Sequence, residues 1–99
     1  MAVPAELVPK VKMALRISHN ALDVDIEDNI AACLADLRVC GVVVPAEEDM
    51  LVLNAVKLWC RAAYTDDPAK ATLFRNGYDS LKSSLMMATG YREEVGAND

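Results

Sequence analysis

The chain has 99 residues, a formal net charge of −5 and a hydrophobic content of 54%, of which few residues are aromatic. A chain of this length forms one domain, residues 1–99, and buries too modest a core to enclose a large active site. Its aliphatic, alanine-rich composition favours helices over a β-sandwich or β-barrel. The acidic balance argues against a protein whose main task is to grip DNA phosphates.

The cysteines and the apolar segments indicate the kind of compartment. Cys33, Cys40 and Cys60 cannot all pair within one chain, and the first residues lack the apolar run of a secretory signal. No stretch approaches the roughly 18–20 apolar residues of a membrane span. We therefore expect a protein of a reducing, intracellular environment that is not inserted in a membrane.

The first predicted helix is short and covers about residues 7–16. Val8, Val11 and Leu15 recur at helical spacing. Pro9 then lies in the first turn, where its missing N–H costs little.

The second predicted helix covers about residues 23–40, with Asp23 as its N-cap. One apolar stripe runs along it, formed by Ile26, Ile30, Cys33, Leu34, Leu37 and Cys40. Asp25, Glu27 and Asp28 occupy its first turns, where the helix dipole favours anions. Gly41 stands where a left-handed C-cap is expected.

The third predicted helix, about residues 46–64, has an unusually wide apolar surface. Pro45 can open it, and apolar side chains cover well over half of its circumference. Asn54, Lys57 and Arg61 remain as a narrow polar stripe. Either this helix is central and the other three surround it, or part of its surface contacts another chain.

The fourth predicted helix covers about residues 68–87 and is followed by a flexible tail, residues 88–99. Asp67 is its N-cap and Pro68 its first residue. We thus predict an all-α, four-helix domain whose core contains Ile26, Ile30, Leu34, Leu37, Leu51, Ala55, Leu58, Phe74, Leu81 and Leu85.

No residue pattern indicates catalysis. Asp66 and Asp67 are adjacent in a turn, where aspartate serves capping and turn geometry. His19 is the only histidine, and no cysteine–histidine spacing matches a zinc site. We expect no catalytic residues, no cofactor and no metal.

Two sets of residues are candidates for contacts with other chains. For contacts between subunits, the polar stripe of the third helix would meet the acidic end of the second helix in a neighbouring copy, and two side chains of the third helix would supply apolar burial. The polar stripe is Asn54, Lys57 and Arg61, the acidic residues are Asp25, Glu27 and Asp28, and the apolar residues are Val56 and Trp59. For contacts with a partner protein, Met86 and Met87 flank the apolar stripe of the last helix, and Tyr91 stands in the tail. Packing at the end of the last helix is the alternative interpretation of the two methionines.

The succession of segments resembles a known family. In order these are VKMALRIS, DIEDNIAACLADLRVCGV, AVKLWCRAAYTDDP and FRNGYDSLKSSL, followed by a tyrosine after a glycine. This order, over residues 8–91, is similar to the small helical head–tail connector (adaptor) proteins of tailed bacteriophages. The polar end REEVGAND is shorter than the C-terminal arms of some members.

The resemblance implies a structural, non-enzymatic virion protein. About twelve copies would form a ring beneath the portal protein, extend the DNA channel and receive the tail or a stopper protein. DNA would pass through without sequence-specific binding. The protein would be located at the head–tail junction of the virion, and in the host cytoplasm during assembly.

Two other classes stay open. The alternative is a small cytoplasmic helical module with a regulatory or chaperone-like role. A helix-turn-helix DNA reader is disfavoured, because its recognition helix needs several basic or amide side chains. After Asp23 at its cap, the second helix offers four acidic residues against Arg38 alone.

Overall fold

The computed structural model describes residues 3–43, 49–88 and 91. This part of the chain forms four α-helices and no extended strand: α1 (Leu7–Leu15), α2 (Asp23–Val39), α3 (Met50–Tyr64) and α4 (Pro68–Met87). The predicted all-α fold of four helices is therefore confirmed. The predicted tail lies outside the described residues except for Ala88 and Tyr91.

The start of α4 follows the sequence prediction. Asp67 has an extended backbone and its Oδ1 accepts the N–H groups of Ala69 at 2.9 Å and Lys70 at 3.4 Å. Pro68 occupies the first turn, where no backbone N–H is needed. An aspartate cap followed by proline thus fixes the joint between α3 and α4.

The end of α2 is a left-handed turn centred on Gly41. Gly41 has a φ of +90°, a conformation that glycine adopts without steric cost. Its N–H donates to the carbonyl of Arg38 at 3.0 Å, and the N–H of Val42 donates to that of Leu37 at 2.9 Å. These paired bonds form a Schellman motif, as the position of the glycine predicts.

The prediction of Asp23 as an N-cap is wrong. Leu22 holds the cap position without a side-chain hydrogen bond, and Asp23 is the first helical residue of α2. Its carboxylate is used elsewhere, since Oδ1 lies 2.8 Å from Nζ of Lys12 on α1. The ion pair fastens the two helices at the end where they meet.

Helix α3 begins at Met50, later than predicted. The N–H groups of Leu51 and Val52 donate to Oδ1 of Asp49 at 2.9 and 3.0 Å, so that Asp49 is the cap. The predicted start at 46 places Asp49 inside the helix, where it could not bind these N–H groups. Residues 44–48 lie outside the described part.

The core is centred on α3, which packs against all three other helices. Six predicted core residues are buried, namely Ile26, Ile30, Leu34, Leu37, Ala55 and Leu85. Leu58, Phe74 and Leu81 are only half-buried. Leu51 is 44% exposed and was wrongly placed in the core, because it lies on the side of α3 that turns towards Asn54 and solvent.

The contact between α3 and α4 is the most extensive in the molecule. Gly77 faces Leu58 there, and a β-carbon at position 77 would stand 3.4 Å from Cδ2 of Leu58. The two helices thus approach closely at a glycine. None of the described helices is both long and apolar enough to cross a membrane.

Candidate functional site

An open groove of about 440 Å³ lies between α2 and α4, with α3 beneath it. The groove exists because α2 and α4 flank α3 without packing extensively on each other. Its floor is Trp59, Ala62 and Ala63 on α3, and the two alanines leave room above the backbone. Its walls are Asn29 and Asp36 on α2, and Arg75, Tyr78, Asp79 and Lys82 on α4.

A hydrogen-bond network joins the two walls. The hydroxyl of Tyr78 donates to Oδ2 of Asp36 at 2.7 Å, and Nζ of Lys82 donates to the same oxygen at 3.1 Å. The Tyr78 bond, followed by the bond and charge of Lys82, lowers the pKa of Asp36, while burial opposes this. Asp36 is therefore ionised and already partnered at neutral pH.

The aromatic rings give the groove its apolar part. Trp59 and Tyr78 meet edge to face, with centroids 5.2 Å apart and planes at 72°. Nζ of Lys82 stands 5.3 Å from the centroid of the Tyr78 ring. Tyr78 is buried, whereas Trp59 is half-buried and keeps part of its ring open to the groove.

The groove offers charged side chains but no reactive thiol. Burial raises the pKa of Cys33 and of Cys60 to about 12. Both thiols are therefore protonated and weakly nucleophilic at neutral pH. His19 is exposed in the α1–α2 connection, where its Nδ1 accepts the N–H of Ala21 at 3.3 Å. Among the residues that the structure describes, no group of three or more histidine, cysteine or acidic side chains could hold a metal.

A second network fastens the acidic end of α2 to the end of α3. The hydroxyl of Tyr64 donates to Oδ2 of Asp25, and the Asn29 amide donates to the Tyr64 hydroxyl at 3.1 Å. Burial, followed by the bond to Asp25, raises the pKa of Tyr64 to about 12. Asp25, a predicted interface residue, thus has a partner in its own chain, although it is exposed, as are Glu27 and Asp28.

The predicted polar stripe lies on the other side of α3 from the groove. Successive residues of an α-helix are rotated by about 100° around its axis. Lys57 and Arg61 are each two positions from Trp59, so each is rotated by about 200° from it and lies on nearly the opposite side of the helix. Asn54 is exposed, and Lys57 and Arg61 are half-buried. Neither cation forms an ion pair within the described residues. We call Lys57 and Arg61 the basic pair.

Val56, a predicted interface residue, is buried in the core. Its side chain is 0% exposed and belongs to the central core, so no other chain can reach it in the folded state. The wide apolar surface of α3 is accounted for mainly by its central position. Of the predicted apolar contacts on α3, only Trp59 retains exposed surface.

One end of the molecule exposes large apolar side chains where α2 and α4 end and α3 begins. We call these residues the apolar end: Val39, Val43, Met50, Leu51, Met86 and Met87. Val39 is 85% exposed and Met87 78%, while Met86 is 40% exposed.

Tyr91 holds three segments together at the apolar end. The N–H of Val43 donates to the Tyr91 carbonyl at 2.6 Å, and the N–H of Tyr91 donates to the carbonyl of Ala88 at 3.1 Å. Its hydroxyl donates to Asp49, and its ring packs against the core. Of the predicted partner contacts, Met86 and Met87 are thus exposed, whereas Tyr91 is half-buried and bonded within its own chain.

Sequence reasoning missed most of the groove. Asp36 lies 42 residues before Tyr78, and no periodicity links them. A usable signal was the polar partner that a buried tyrosine requires.

Comparison of the chain with models of protein families, with curated proteins and with solved structures found no match in any of the three.

Proposed function

We propose that this chain is a structural protein of a tailed bacteriophage virion, a subunit of the ring that connects the portal to the tail. The observation that carries the proposal is the apolar end, six exposed large apolar side chains gathered at one end of three helices. Exposed apolar surface of this kind marks contact with another protein. The order of segments along the chain resembles that of the connector family, and this resemblance supports a portal, stopper or tail protein as the partner.

The surfaces suit a subunit of a ring. A head-to-tail ring needs two different lateral surfaces on each subunit, and a further surface for the partner above or below it. The groove and the basic pair lie on opposite sides of α3 and meet the first need. The apolar end meets the second, and we assign it to the portal, the stopper or the tail protein.

The charge of the chain is compatible with a DNA channel. A net charge of −5 per subunit does not favour the many phosphate contacts that hold DNA in place. DNA would pass such a ring in weak, sequence-independent contact.

Removal of the gene from its phage tests the proposal directly. DNA-filled heads without tails should accumulate, and electron microscopy of the lysate would show them. Normal numbers of tailed particles would reject the virion role and leave the helical regulatory or chaperone-like module as the interpretation.

Complementation of the deletion tests the apolar end. Met87→Asp should fail to restore tailed particles, because a carboxylate in an apolar contact stays unpaired. Met13→Asp is the matched control, since Met13 is 80% exposed and lies on α1, away from the apolar end. Equal titres from the two variants would contradict the assignment of the apolar end.

A further inference from the structure

Tyr91 occupies a site at the apolar end that offers it three kinds of contact. The N–H of Val43 donates to the Tyr91 carbonyl at 2.6 Å, and the Tyr91 hydroxyl donates to Oδ2 of Asp49. The ring packs against the core. We call the Val43 N–H, the Asp49 carboxylate and the apolar surface beneath the ring the tyrosine site. A tyrosine can use all three contacts at once, because it carries a backbone acceptor, an apolar ring and a phenolic donor.

The tyrosine site is built by residues other than Tyr91. Oδ1 of Asp49 caps α3, and this fixes the orientation of the carboxylate. Val43 follows Val42, whose side chain is 1% exposed and whose N–H donates to the carbonyl of Leu37 at 2.9 Å. Both polar groups of the site are therefore held by α2 and α3 without the help of Tyr91. A site formed in advance loses little free energy to ordering when a ligand binds.

Tyr91 is an occupant that can be exchanged. It follows the end of α4, and its N–H donates to the carbonyl of Ala88 at 3.1 Å. Its side chain is half-buried, so that part of the ring is open to solvent. The described hydrogen bonds of Tyr91 all lie outside the four helices, and its departure leaves the helices intact. A local opening of this kind needs less free energy than global unfolding.

The tyrosine site opens where the molecule exposes apolar side chains. Val43 is 44% exposed, and Met50, which follows Asp49, is 62% exposed. A protein that covers the apolar end therefore covers the tyrosine site as well. Interfaces draw most of their binding free energy from a few anchors, often tyrosine, that fill pockets and are surrounded by weaker contacts.

We propose that a tyrosine of the partner protein replaces Tyr91 in the tyrosine site and anchors that partner at the apolar end. Tyr91 is then an internal competitor, which fills the site in the free chain and leaves it on docking. The inference rests on the proposed function, because the partner is the portal, stopper or tail protein assigned to the apolar end. Its anchor is a tyrosine in an extended segment, whose backbone carbonyl is free to accept the Val43 N–H.

Purified protein and a synthetic peptide test this inference without phage. The deletion experiment reports the virion role, whereas the peptide reports the tyrosine site alone, so the failure of one is not the failure of the other. The protein is the full chain with Tyr91→Ala, in which the site lacks its occupant. The probe is acetyl-Ser-Val-Tyr-Val-Ser-amide at up to about 5 mM, which fills most of the sites even at a Kd of about 1 mM.

An NMR titration of the isotope-labelled Tyr91→Ala chain locates the peptide. The amide of Val43 should shift, because it regains a carbonyl acceptor. The same peptide with phenylalanine in place of tyrosine should bind about ten-fold more weakly, since it lacks a hydrogen bond to a carboxylate. The peptide with alanine there should not bind. The parent chain should bind the tyrosine peptide at least about ten-fold more weakly than Tyr91→Ala, because its site is open for only a small fraction of the time.

Two further variants keep the test decisive. Tyr91→Phe keeps the ring and loses the bond to Asp49, so the peptide should compete for its site more strongly than in the parent. Tyr64→Phe is the matched control, since it removes a tyrosine–aspartate bond at the far end of α3. It should bind the peptide no better than the parent does. Circular dichroism checks that every variant keeps its helices.

Three results would overturn the proposal. The first is an unshifted Val43 amide in Tyr91→Ala at the highest peptide concentration. The second is equal binding of the tyrosine and alanine peptides. The third is equal binding to the parent and to Tyr91→Ala or, where Tyr91→Ala loses its helices, to the parent and to Tyr91→Phe. Binding that needs both the tyrosine of the peptide and the vacated site supports it.

Discussion

At the scale of single residues, Tyr78 is the side chain on which the groove depends. It is 3% exposed, donates to Asp36 across the groove, contacts Trp59 edge to face and lies beneath the Lys82 ammonium. The two walls of the groove are joined through this one hydroxyl and its neighbouring lysine. Loss of the hydroxyl should therefore change both the stability and the ionisation of the site.

Tyr78→Phe tests this connection. The variant keeps the ring and removes one hydrogen bond to a carboxylate, so the free energy of unfolding at neutral pH should fall by about 1–2 kcal/mol. The pKa of Asp36 should rise, since the Tyr78 bond is the largest cause of its depression. Urea unfolding and an NMR titration of the Asp36 carboxyl measure the two effects.

The effect of pH on this variant follows from the sign of the shift. The folded pKa of Asp36 is below its ordinary value of 3.8. Its contribution to stability is therefore complete above the ordinary pKa and is lost as the pH falls through the folded one. The stability difference between parent and variant should shrink in acid. Tyr64→Phe is the control, and it should leave the titration of Asp36 unchanged; an unchanged Asp36 pKa in Tyr78→Phe would refute the connection.

At the scale of helices, the start of α3 depends on one carboxylate. Asp49 caps the helix through Oδ1 and accepts the Tyr91 hydroxyl through Oδ2. Burial raises its pKa, but the bonds from Tyr91, Val52 and Leu51 outweigh burial, and the net shift is downward. One side chain thus begins α3 and anchors the segment after α4.

Asp49→Ala should therefore lower the free energy of unfolding by more than the loss of an ordinary helix cap does. We expect about 1–2 kcal/mol from the loss of the cap, and in addition the release of Tyr91 from Val43. Asp67→Ala removes a cap of the same geometry that has no tyrosine partner, and about 1 kcal/mol is expected there. Thermal unfolding compares the two; equal losses would mean that the Tyr91 bond contributes nothing.

The packing of α3 on α4 gives a prediction of opposite sign. Glycine in a helix interior is about 0.5–1 kcal/mol less favourable than alanine. A β-carbon at position 77 would meet the end of the flexible Leu58 side chain at 3.4 Å, which is close to ordinary contact. Gly77→Ala should therefore raise the free energy of unfolding by up to about 1 kcal/mol. Gly77→Val, which adds bulk at the same point, should lower the free energy of unfolding. A destabilised alanine variant would contradict this prediction, because it would show that α3 and α4 cannot separate slightly at position 77.

At the scale of the whole molecule, the thiols report whether the core is closed. Cys33 and Cys60 are 0% exposed, and burial raises the pKa of each to about 12. Cys40 is half-buried at the end of α2. The native protein should therefore expose one of its three cysteines to a thiol reagent at neutral pH, and all three after unfolding in denaturant. Reaction of two or three thiols in the native state would contradict the packing of α2 on α3.

The sequence predicts the local features of this fold well. Gly41, Asp67 and Pro68 each act within a few residues of their own position, and the end of α2 and the start of α4 follow from them. The start of α3 was missed because Pro45 and Asp49 are both plausible beginnings, and only the bonds to Leu51 and Val52 decide between them.

The groove could not be predicted from patterns of neighbouring residues, for a different reason. On a helix that is apolar over most of its circumference, the pattern does not say which arc faces the core. Val56 was therefore placed at an interface and lies in the core, while Leu51 was placed in the core and is exposed. The Asp36–Tyr78 contact depends on the angle at which α2 and α4 cross α3, which no spacing along the chain records.

The central position of α3 has a consequence for how the molecule opens. Helix α4 contacts α3 extensively but is joined to α2 mainly through Tyr78, Lys82 and Asp36, whereas α1 packs on both α2 and α3. The chain can therefore lose α4 as a unit while α1, α2 and α3 stay assembled. Hydrogen exchange should follow this hierarchy, with the amides of α4 exchanging through a partial opening and those around Val56 only through global unfolding.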